Sequence, residues 1–270
     1  MKIAYAVGFW PIWGEYPPDI LDREDSGTVG GGEAGALNTA FELAARGHQV
    51  SYYSCARPGG HKGVEFRPGP DLTRACLSDP PDVLVAWAAM NSWGSCVPLK
   101  RALDAPLVLV QQLNDLWVPP VWLESVDVLV SPSRVHADYM RVLGWQGKQG
   151  VVHNGVDIRL YQARIPPRER PMRVGYWSSP DRGLSYLLKA WPLVQRAVPT
   201  AELRVNYAID RLFASIGAPS PCDTSPLHVR DSVLAARGSG LNISFTESLP
   251  RPAMAREQIS CRVLAYPLVS

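Results

Sequence analysis

The side chains best suited to chemistry lie in one short turn in the second half of the chain. Ser178, Ser179 and Arg182 follow an apolar run that ends at Trp177 and precede a helical pattern that begins near Gly183. Hydroxyl and guanidinium groups donate the hydrogen bonds that phosphate oxygens accept. The free N–H groups and the dipole of a helix N-terminus favour an anion at the same place. The turn is therefore either a phosphate-binding site or a well-capped helix start with a solvated arginine.

The flanking sequence predicts the two elements that would position this turn. Met172–Trp177 is a short apolar run of the kind that forms a buried strand. Leu184–Trp191 carries apolar residues at helical spacing, which places one apolar stripe on a helix. Ser179–Asp181 are residue types that start helices. We therefore predict a helix over Gly183–Ala197, started by Ser179–Asp181, with its N-terminus at the carboxyl end of the strand.

A second candidate for ligand binding is a glycine-rich stretch near the start of the chain. Gly30–Gly35 matches G-x-G-x-x-G and opens a helix predicted over residues 33–45. A nicotinamide-binding site needs this pattern directly after the first strand, but residues 8–29 intervene. The next strand, Gln49–Tyr53, is followed by no acidic residue that could hold a ribose hydroxyl. The sequence therefore argues against a nicotinamide cofactor and predicts a helix N-terminus whose glycines let a ligand approach the backbone.

Composition narrows the classes of function. The chain has 270 residues, of which 46% are hydrophobic and 19% charged, as in an ordinary soluble globular protein. A net charge of +2 without a run of basic residues argues against a nucleic-acid partner. We find neither a signal peptide nor a stretch of membrane-spanning length, and we expect a cytoplasmic protein that could still contact a membrane surface.

The cysteines indicate neither a disulfide framework nor a zinc site. They form no CxxC pair and no cluster with histidine. Scattered reduced thiols fit a cytosolic protein. The five cysteines are Cys55, Cys76, Cys96, Cys222 and Cys261.

Strand and helix patterns alternate along the whole chain, and this alternation predicts parallel sheets. In the first half, apolar strand patterns lie at residues 2–7, 49–53, 81–87, 106–111 and 126–131, with a short last strand at 151–152. Residues 158–171 hold four arginines and three prolines, which predicts an exposed linker. The alternation then resumes. We therefore predict a first domain over 1–157, a linker over 158–171 and a second domain over 172–270.

Three stretches of the chain, taken in order, resemble a known family. Gly30–Val50 resembles the first glycine loop and helix of that family, and Val128–Asp157 resembles the signature at the end of its first domain. Val174–Leu184 resembles its donor-phosphate turn. Together they resemble the GT-B glycosyltransferases, in particular the retaining group (group 1, family 4-like) that includes glycogen and sucrose synthases. The resemblance covers nearly the whole chain.

This resemblance implies a fold, a reaction and a site. The fold would be α/β, with two Rossmann-like doubly wound parallel-sheet domains. A sugar would pass with retention from a UDP- or GDP-sugar to an acceptor that the sequence does not identify. Cationic side chains and a helix dipole would stabilise the leaving diphosphate, so the family needs no metal or other cofactor. Gly30 and Gly31 would bring backbone amides to the donor, and Arg182 would neutralise the diphosphate with Ser178 or Ser179.

The sequence departs from the family in two places. The family has a histidine after the strand that is here Leu107–Val110, whereas this chain has Gln111–Asp115. Asn114 or Asp115 is a candidate catalytic substitute, although both residue types also suit a turn. The family's acidic donor-binding motif would follow the strand that ends at Tyr266–Pro267, but the sequence ends three residues later. We therefore expect an incomplete, truncated second domain, and a partner chain that supplies the missing part.

Two functions remain open at this point. The chain is either a glycosyltransferase or a non-catalytic GT-B-like protein that binds nucleotide sugars or acts as a scaffold. The fold does not distinguish them, because function belongs to the site. Binding of nucleotide sugars tests the site, and turnover tests which of the two functions applies.

Overall fold

The chain folds into two compact units. A computed structural model describes residues 1–7, 15–23, 29–87, 90–110, 123–210, 213 and 225–267. The first unit contains Met1–Ile20 and Val29–Val156, and the second contains Leu21–Thr28 and Asp157–Ser270. Residues 158–171 fall in the second unit and include two short 3-10 turns. The predicted bounds of the linker, residues 158 and 171, stay a prediction.

The first unit is built on one eight-stranded sheet. A parallel sheet buries both of its faces, which explains why the central strands read as apolar runs in the sequence. In chain order the strands are β1 (Lys2–Val7), β2 (Gln49–Ser54), β3 (Gly59–His61), β4 (Val64–Pro68), β5 (Val83–Trp87), β6 (Leu107–Val110), β7 (Val128–Ser131) and β8 (Lys148–Val151). The order across the sheet is β3-β4-β2-β1-β5-β6-β7-β8, and all neighbouring pairs except β3 with β4 are parallel.

Helices cover both faces of this sheet. The described helices of the unit are α1 (Gly31–Ala45), α2 (Leu72–Ser78), α3 (Met90–Leu103) and α4 (Arg134–Val142). On one face, Phe41 of α1 lies with its ring 6.2 Å from that of Phe66 in β4. On the opposite face, Leu84 and Leu107 share a buried core with Val97 of α3. The connection after β1 therefore leads to one face, and the connection after β5 leads to the other.

The second unit contains a smaller sheet of four parallel strands. The strands are β9 (Arg173–Tyr176), β10 (Glu202–Asn206), β11 (Ile243–Thr246) and β12 (Val263–Leu264), in the order β11-β10-β9-β12. The described helices are α5 (Leu184–Ala197), α6 (Ser225–Arg237) and α7 (Arg251–Ser260). The predicted α/β class with two parallel sheets is confirmed.

The two faces of the second sheet are covered in different ways. On one face, Leu203 and Val205 are fully buried against Trp191 of α5 and Val233 of α6. The alternate residues of the strands point to the opposite face, where α7 lies. Ion pairs hold α7 there: the guanidinium nitrogens of Arg173 and Arg204 lie 3.8 and 3.7 Å from Glu257 Oε1.

Glu202 completes this group of four charged side chains, which we call the charge quartet (Arg173, Glu202, Arg204 and Glu257). Arg173 Nε donates to Glu202 Oε2 at 2.9 Å, and Arg204 pairs with the same carboxylate. Burial raises the pKa of Glu202, but the hydrogen bonds from the two arginines outweigh it and hold the pKa below its ordinary value. The quartet therefore stabilises the fold above that ordinary pKa and loses this contribution as the pH falls through the lowered, folded-state value.

Replacing Glu202 with glutamine tests the quartet. Because the two arginines would keep their partly buried charges and lose the nearer of their two carboxylate partners, we expect a loss of about 1–3 kcal/mol in unfolding free energy at neutral pH. The matched control is Glu42→Gln on α1, whose carboxylate pairs with Arg46 in an exposed i,i+4 pair. That change should cost about 0.5 kcal/mol or less. Urea unfolding at neutral and acid pH should show the difference shrinking in acid. Equal losses of unfolding free energy in Glu202→Gln and Glu42→Gln at neutral pH would show that the quartet stabilises the fold no more than an exposed ion pair does.

Residues 59–78 hold elements that the sequence patterns did not predict. They are the hairpin of β3 and β4 and the short helix α2. The last strand of the sheet was predicted at Val151–Val152 and instead runs over Lys148–Val151. Its polar residues give no apolar pattern by which the sequence could indicate it.

Among the described residues, no three His, Cys, Asp or Glu side chains converge as metal ligands. None of the helices in the described part of the chain is long and apolar enough to cross a membrane.

Candidate functional site

The predicted phosphate turn joins β9 to α5 and is closed by its own hydrogen bonds. Tyr176, the last residue of β9, donates its hydroxyl to the Ser179 carbonyl at 2.6 Å. The N–H of Arg182 donates to the same carbonyl at 2.9 Å, and the N–H of Leu184 donates to the Pro180 carbonyl at 3.2 Å. These bonds fix the turn against the end of the strand.

The helix after this turn, predicted over Gly183–Ala197, is observed as α5 over Leu184–Ala197. Ser179–Asp181 were expected to lie in its first turn, but they precede it. The expected residues form the separate turn just described, and Gly183 follows in the left-handed conformation with φ of +94°. Only after this residue does the backbone take up regular helical hydrogen bonding. The prediction that Ser179–Asp181 start the helix was therefore wrong, whereas the predicted bounds of the helix hold to within one residue.

The end of β12 lies directly against this turn. The N–H of Ala265 donates to the Gly175 carbonyl of β9 at 2.9 Å. A Cβ atom placed on Gly183 would lie 1.8 Å from the carbonyl oxygen of Pro267. Only a glycine therefore fits at position 183, on grounds of both conformation and space.

Three side chains meet where the ends of β9 and β12 adjoin, and we call them the β9/β12 cluster (Ser178, Arg182 and Tyr266). Arg182 Nη1 lies 3.5 Å from the hydroxyl oxygen of Tyr266. Hydrogen bonds from Ser178 and then from Arg182 lower the pKa of Tyr266, while the bond to Tyr266 raises that of Arg182. The structure thus places Ser178 and Arg182 together beside Tyr266, which no local sequence pattern indicated. The role of Ser178 and Arg182 in donor binding stays a prediction.

The other residues of the turn play different parts. Ser179 Oγ donates to the carboxylate of Asp181, so this hydroxyl is occupied within the turn. Asp181 is exposed, and its negative charge lies close enough to act on both Arg182 and Tyr266. The turn therefore offers one cation and one hydroxyl to an anion, and places one carboxylate nearby that opposes it.

The β9/β12 cluster lies at the topological switch point of the second sheet. The connection after β9 runs through α5 on one face, and the strand order moves away through β10 and β11. The chain then returns through α7 on the opposite face and adds β12 on the other side of β9. In open parallel sheets, ligands bind outside the carboxyl ends of the strands at such a reversal. Arg182 follows one of these strand ends and Tyr266 follows the other.

A buried polar group lies at the same edge of the sheet. Asn206 is the last residue of β10 and is 2% exposed. Its Oδ1 accepts a hydrogen bond from the Thr246 hydroxyl, whereas its Nδ2 has no hydrogen-bond partner among the described residues. An unsatisfied buried donor costs about 1–3 kcal/mol. The carboxyl edge of the second sheet therefore also holds an unsatisfied donor.

In the first unit, the glycine-rich stretch forms the N-terminus of α1. Gly30 is the N-cap and its carbonyl accepts from the Ala34 N–H at 2.9 Å. A Cβ atom on Gly31 would meet no described atom within 4 Å, so neighbouring side chains do not require glycine there. A Cβ on Gly32 would lie 3.9 Å from Nε1 of Trp87, the last residue of β5. The N-terminus of α1 therefore lies beside the β1/β5 switch point, and no atom of the described residues fills the space beside Gly31.

One acidic side chain lies in the first turn of α1. Glu33 is half-buried, and burial raises the pKa of its carboxyl above the ordinary value. A carboxylate in a first turn already uses the attraction of the helix N-terminus for negative charge. The case for an anion is therefore weaker here than at the β9/β12 cluster. The catalytic candidates Asn114 and Asp115 lie in residues 111–122, outside the described residues.

The comparisons with known proteins identify the fold. No protein-family model and no curated protein sequence matches the chain. Solved structures do match, among them Anabaena HepE in complex with UDP and glucose, with a TM-score of 0.66 at 14% identity, over 98% of this chain and 74% of that chain. Trehalose-6-phosphate synthase OtsA matches with a TM-score of 0.62 at 10% identity, over 98% and 78% of the two chains. The chain has the GT-B fold.

A third GT-B neighbour carries out a different reaction. The UDP-GlcNAc 2-epimerase of Neisseria meningitidis, solved with UDP-GlcNAc, matches with a TM-score of 0.55 at 10% identity, over 98% of this chain and 77% of that chain. Its reaction differs from that of a synthase, although both proteins share the fold. The GT-B fold therefore leaves the reaction to be argued from the site.

Proposed function

We propose that this GT-B protein is a glycosyltransferase that binds a nucleotide sugar at the β9/β12 switch point. The observation that carries the proposal is the position of Arg182 and Ser178 at that switch point. A cation and a hydroxyl converge there on the edge where open parallel sheets bind their ligands. Guanidinium groups suit the diphosphate of a nucleotide sugar because their donors match the spacing of phosphate oxygens.

The same cluster supports a transfer reaction as well as binding. When the bond between the sugar and the diphosphate breaks, negative charge grows on the leaving oxygen. Arg182 and the donors of the turn would stabilise that charge, and donors held in advance contribute most in such a step. On this account, the reaction needs no divalent metal and no cofactor beyond the nucleotide sugar. Retention of configuration is part of the proposal and rests on the resemblance to the retaining group.

The neighbours guide the choice of donor. HepE was solved with UDP and glucose, and the Neisseria epimerase with UDP-GlcNAc. UDP-sugars are therefore the first donors to test, and GDP-sugars the second. A non-catalytic protein that binds the same nucleotide sugars is the second candidate function, favoured by the lack of the family histidine after Leu107–Val110. The acceptor, a cytoplasmic location, a membrane contact and a partner chain stay predictions.

Calorimetry and product analysis test the proposal in turn. Titration of UDP-glucose, UDP-GlcNAc and GDP-mannose should show that the chain binds at least one of them. Proton NMR of a reaction with a broad acceptor mixture then follows the anomeric signal of the transferred sugar. A new glycoside would support a transferase, and an epimerised nucleotide sugar would contradict it. Binding without any product would favour the non-catalytic candidate, and the absence of binding would contradict both.

Replacing Asp181 is expected to strengthen the binding of UDP, because it removes a negative charge beside the proposed site. Because its exposed carboxylate lies near Arg182, Asp181→Asn should raise the affinity for UDP about two- to fivefold, the size of an exposed charge interaction. The gain should fade in high salt, since ions screen exposed charges. Asp71→Asn in the first unit removes an exposed carboxylate that pairs with Arg74 and should leave affinity unchanged. Calorimetry at low and high salt measures both variants, and a weaker affinity of Asp181→Asn would contradict the site.

A further inference from the structure

Tyr266 is the residue of the β9/β12 cluster that no sequence motif assigns to a function. It follows β12 and is 41% exposed, so that its ring reaches the surface. Its hydroxyl oxygen lies 3.5 Å from Arg182 Nη1 and also bonds with Ser178. A guanidinium has donors and no acceptor, so the phenol oxygen is the acceptor of this bond.

The backbone around Tyr266 is fixed on both sides. The preceding residue, Ala265, donates its N–H to the Gly175 carbonyl at 2.9 Å. The following residue, Pro267, lies against Gly183 so closely that no side chain fits between them. Tyr266 therefore projects from a backbone that is tied to the same turn that carries Arg182. Such a side chain can hold a partner in one place.

We propose that Tyr266 is a positioning residue for the donor diphosphate: its hydroxyl holds the Arg182 guanidinium at the mouth of the β9/β12 switch point. This inference rests on the proposed nucleotide-sugar site. An arginine side chain carries much rotamer freedom, which binding must otherwise freeze. A guanidinium that is already held by a phenol loses less of that freedom when the diphosphate arrives.

The arrangement predicts that the affinity for the diphosphate falls at alkaline pH. The groups that face the Tyr266 hydroxyl are Ser178, Arg182, Asp181 and the Tyr176 hydroxyl. Hydrogen bonds from Ser178 and Arg182 hold the pKa of Tyr266 below its usual value, so the phenol ionises earlier than an ordinary tyrosine. The phenolate would neutralise Arg182 and repel the diphosphate. Affinity should therefore hold below the pKa of Tyr266 and fall as the pH rises through it.

The first readout needs no ligand. Phenolate absorbance is followed against pH for the wild-type protein, Tyr266→Phe and Arg182→Gln. The difference between wild type and Tyr266→Phe should reveal one phenol that titrates below the ordinary pKa of about 10. In Arg182→Gln that phenol should titrate at higher pH. An ordinary titration of Tyr266, or one unchanged by Arg182→Gln, would overturn the positioning role alone and leave the proposed function standing.

The second readout is the affinity for UDP measured by calorimetry from neutral pH to pH ~10. Tyr266→Phe should bind about three- to tenfold more weakly at neutral pH, the effect of one hydrogen bond. It should also lack the alkaline fall of the wild type. Comparing the two proteins at each pH cancels the ionisation of the uracil ring. Equal affinities and parallel profiles would overturn the positioning role, and absence of UDP binding by the wild type would overturn the proposed function with it.

Tyr186→Phe is the matched control. Tyr186 lies on α5 and is 55% exposed, with its ring near the Lys189 ammonium. The change removes one exposed phenol, as Tyr266→Phe does, but leaves the β9/β12 cluster intact. The early-titrating phenol and the alkaline fall in affinity should both persist in this variant. Their loss in Tyr186→Phe would overturn the assignment to Tyr266.

Discussion

Replacing Arg182 with alanine is expected to weaken the binding of UDP and UDP-sugars about tenfold or more, a loss of about 1.5–3 kcal/mol. Arg182 is the cation that the second sheet presents where β9 and β12 adjoin, held beside the Tyr266 hydroxyl. A charge-assisted hydrogen bond to a diphosphate oxygen would be lost with it. The affinity of Arg182→Lys for UDP should lie between those of the wild type and Arg182→Ala, because lysine keeps the charge and lacks the planar arrangement of donors.

Arg196→Ala is the control for this experiment. Arg196 is an exposed arginine in the last turn of the same helix, α5, whereas Arg182 lies just before its start. The two variants lose the same side chain and the same charge, so a general effect of net charge would appear in both. We expect Arg196→Ala to bind UDP as the wild type does. Equal affinities of Arg182→Ala and the wild-type protein would contradict the proposed site.

Replacing Gly183 with alanine is expected to destabilise the second unit by about 2–5 kcal/mol. The left-handed backbone of Gly183 contributes about 1–2 kcal/mol of that loss once a Cβ is present. The new methyl group would also lie 1.8 Å from the Pro267 carbonyl oxygen, and relieving such a contact costs about 1–3 kcal/mol. Because the turn or the end of β12 must move, UDP affinity should fall as well.

Gly47→Ala separates the two parts of this effect. Gly47 follows α1 with φ of +86°, and a Cβ there would meet no described atom within 4 Å. The variant therefore carries the strain of the backbone without the clash, and it should cost about 1–2 kcal/mol in the first unit. Urea unfolding and hydrogen exchange, read separately for the two units, measure both variants. Equal losses would show that the turn and the end of β12 do not touch in solution.

The sequence was most informative where strands are buried on both faces. β1, β5 and β6 were predicted because such strands read as continuous apolar runs. β3, the edge strand, and β4 beside it were missed because they include glycine, histidine, arginine and proline. α2 was missed because seven residues show too little periodicity to identify a helix.

The candidate site divides in the same way. Ser178 and Arg182 could be proposed as site residues because they lie within one turn, and a turn can be recognised from consecutive residues of the sequence. Tyr266 was missed because it is 84 residues from Arg182 in the chain. Only the crossover through α7 places β12 beside β9, and no local pattern states which strands will be neighbours. Asn206 was missed for the same reason, since its burial depends on tertiary packing and not on the spacing of residues in the sequence.

A crystal structure of the chain with UDP would show directly whether the β9/β12 cluster binds the diphosphate. We expect the diphosphate outside the carboxyl ends of β9 and β12, with an oxygen about 2.7–3.2 Å from the Arg182 guanidinium and another near the Ser178 hydroxyl. UDP bound with its phosphates away from this edge, and Arg182 in contact with protein groups alone, would contradict it.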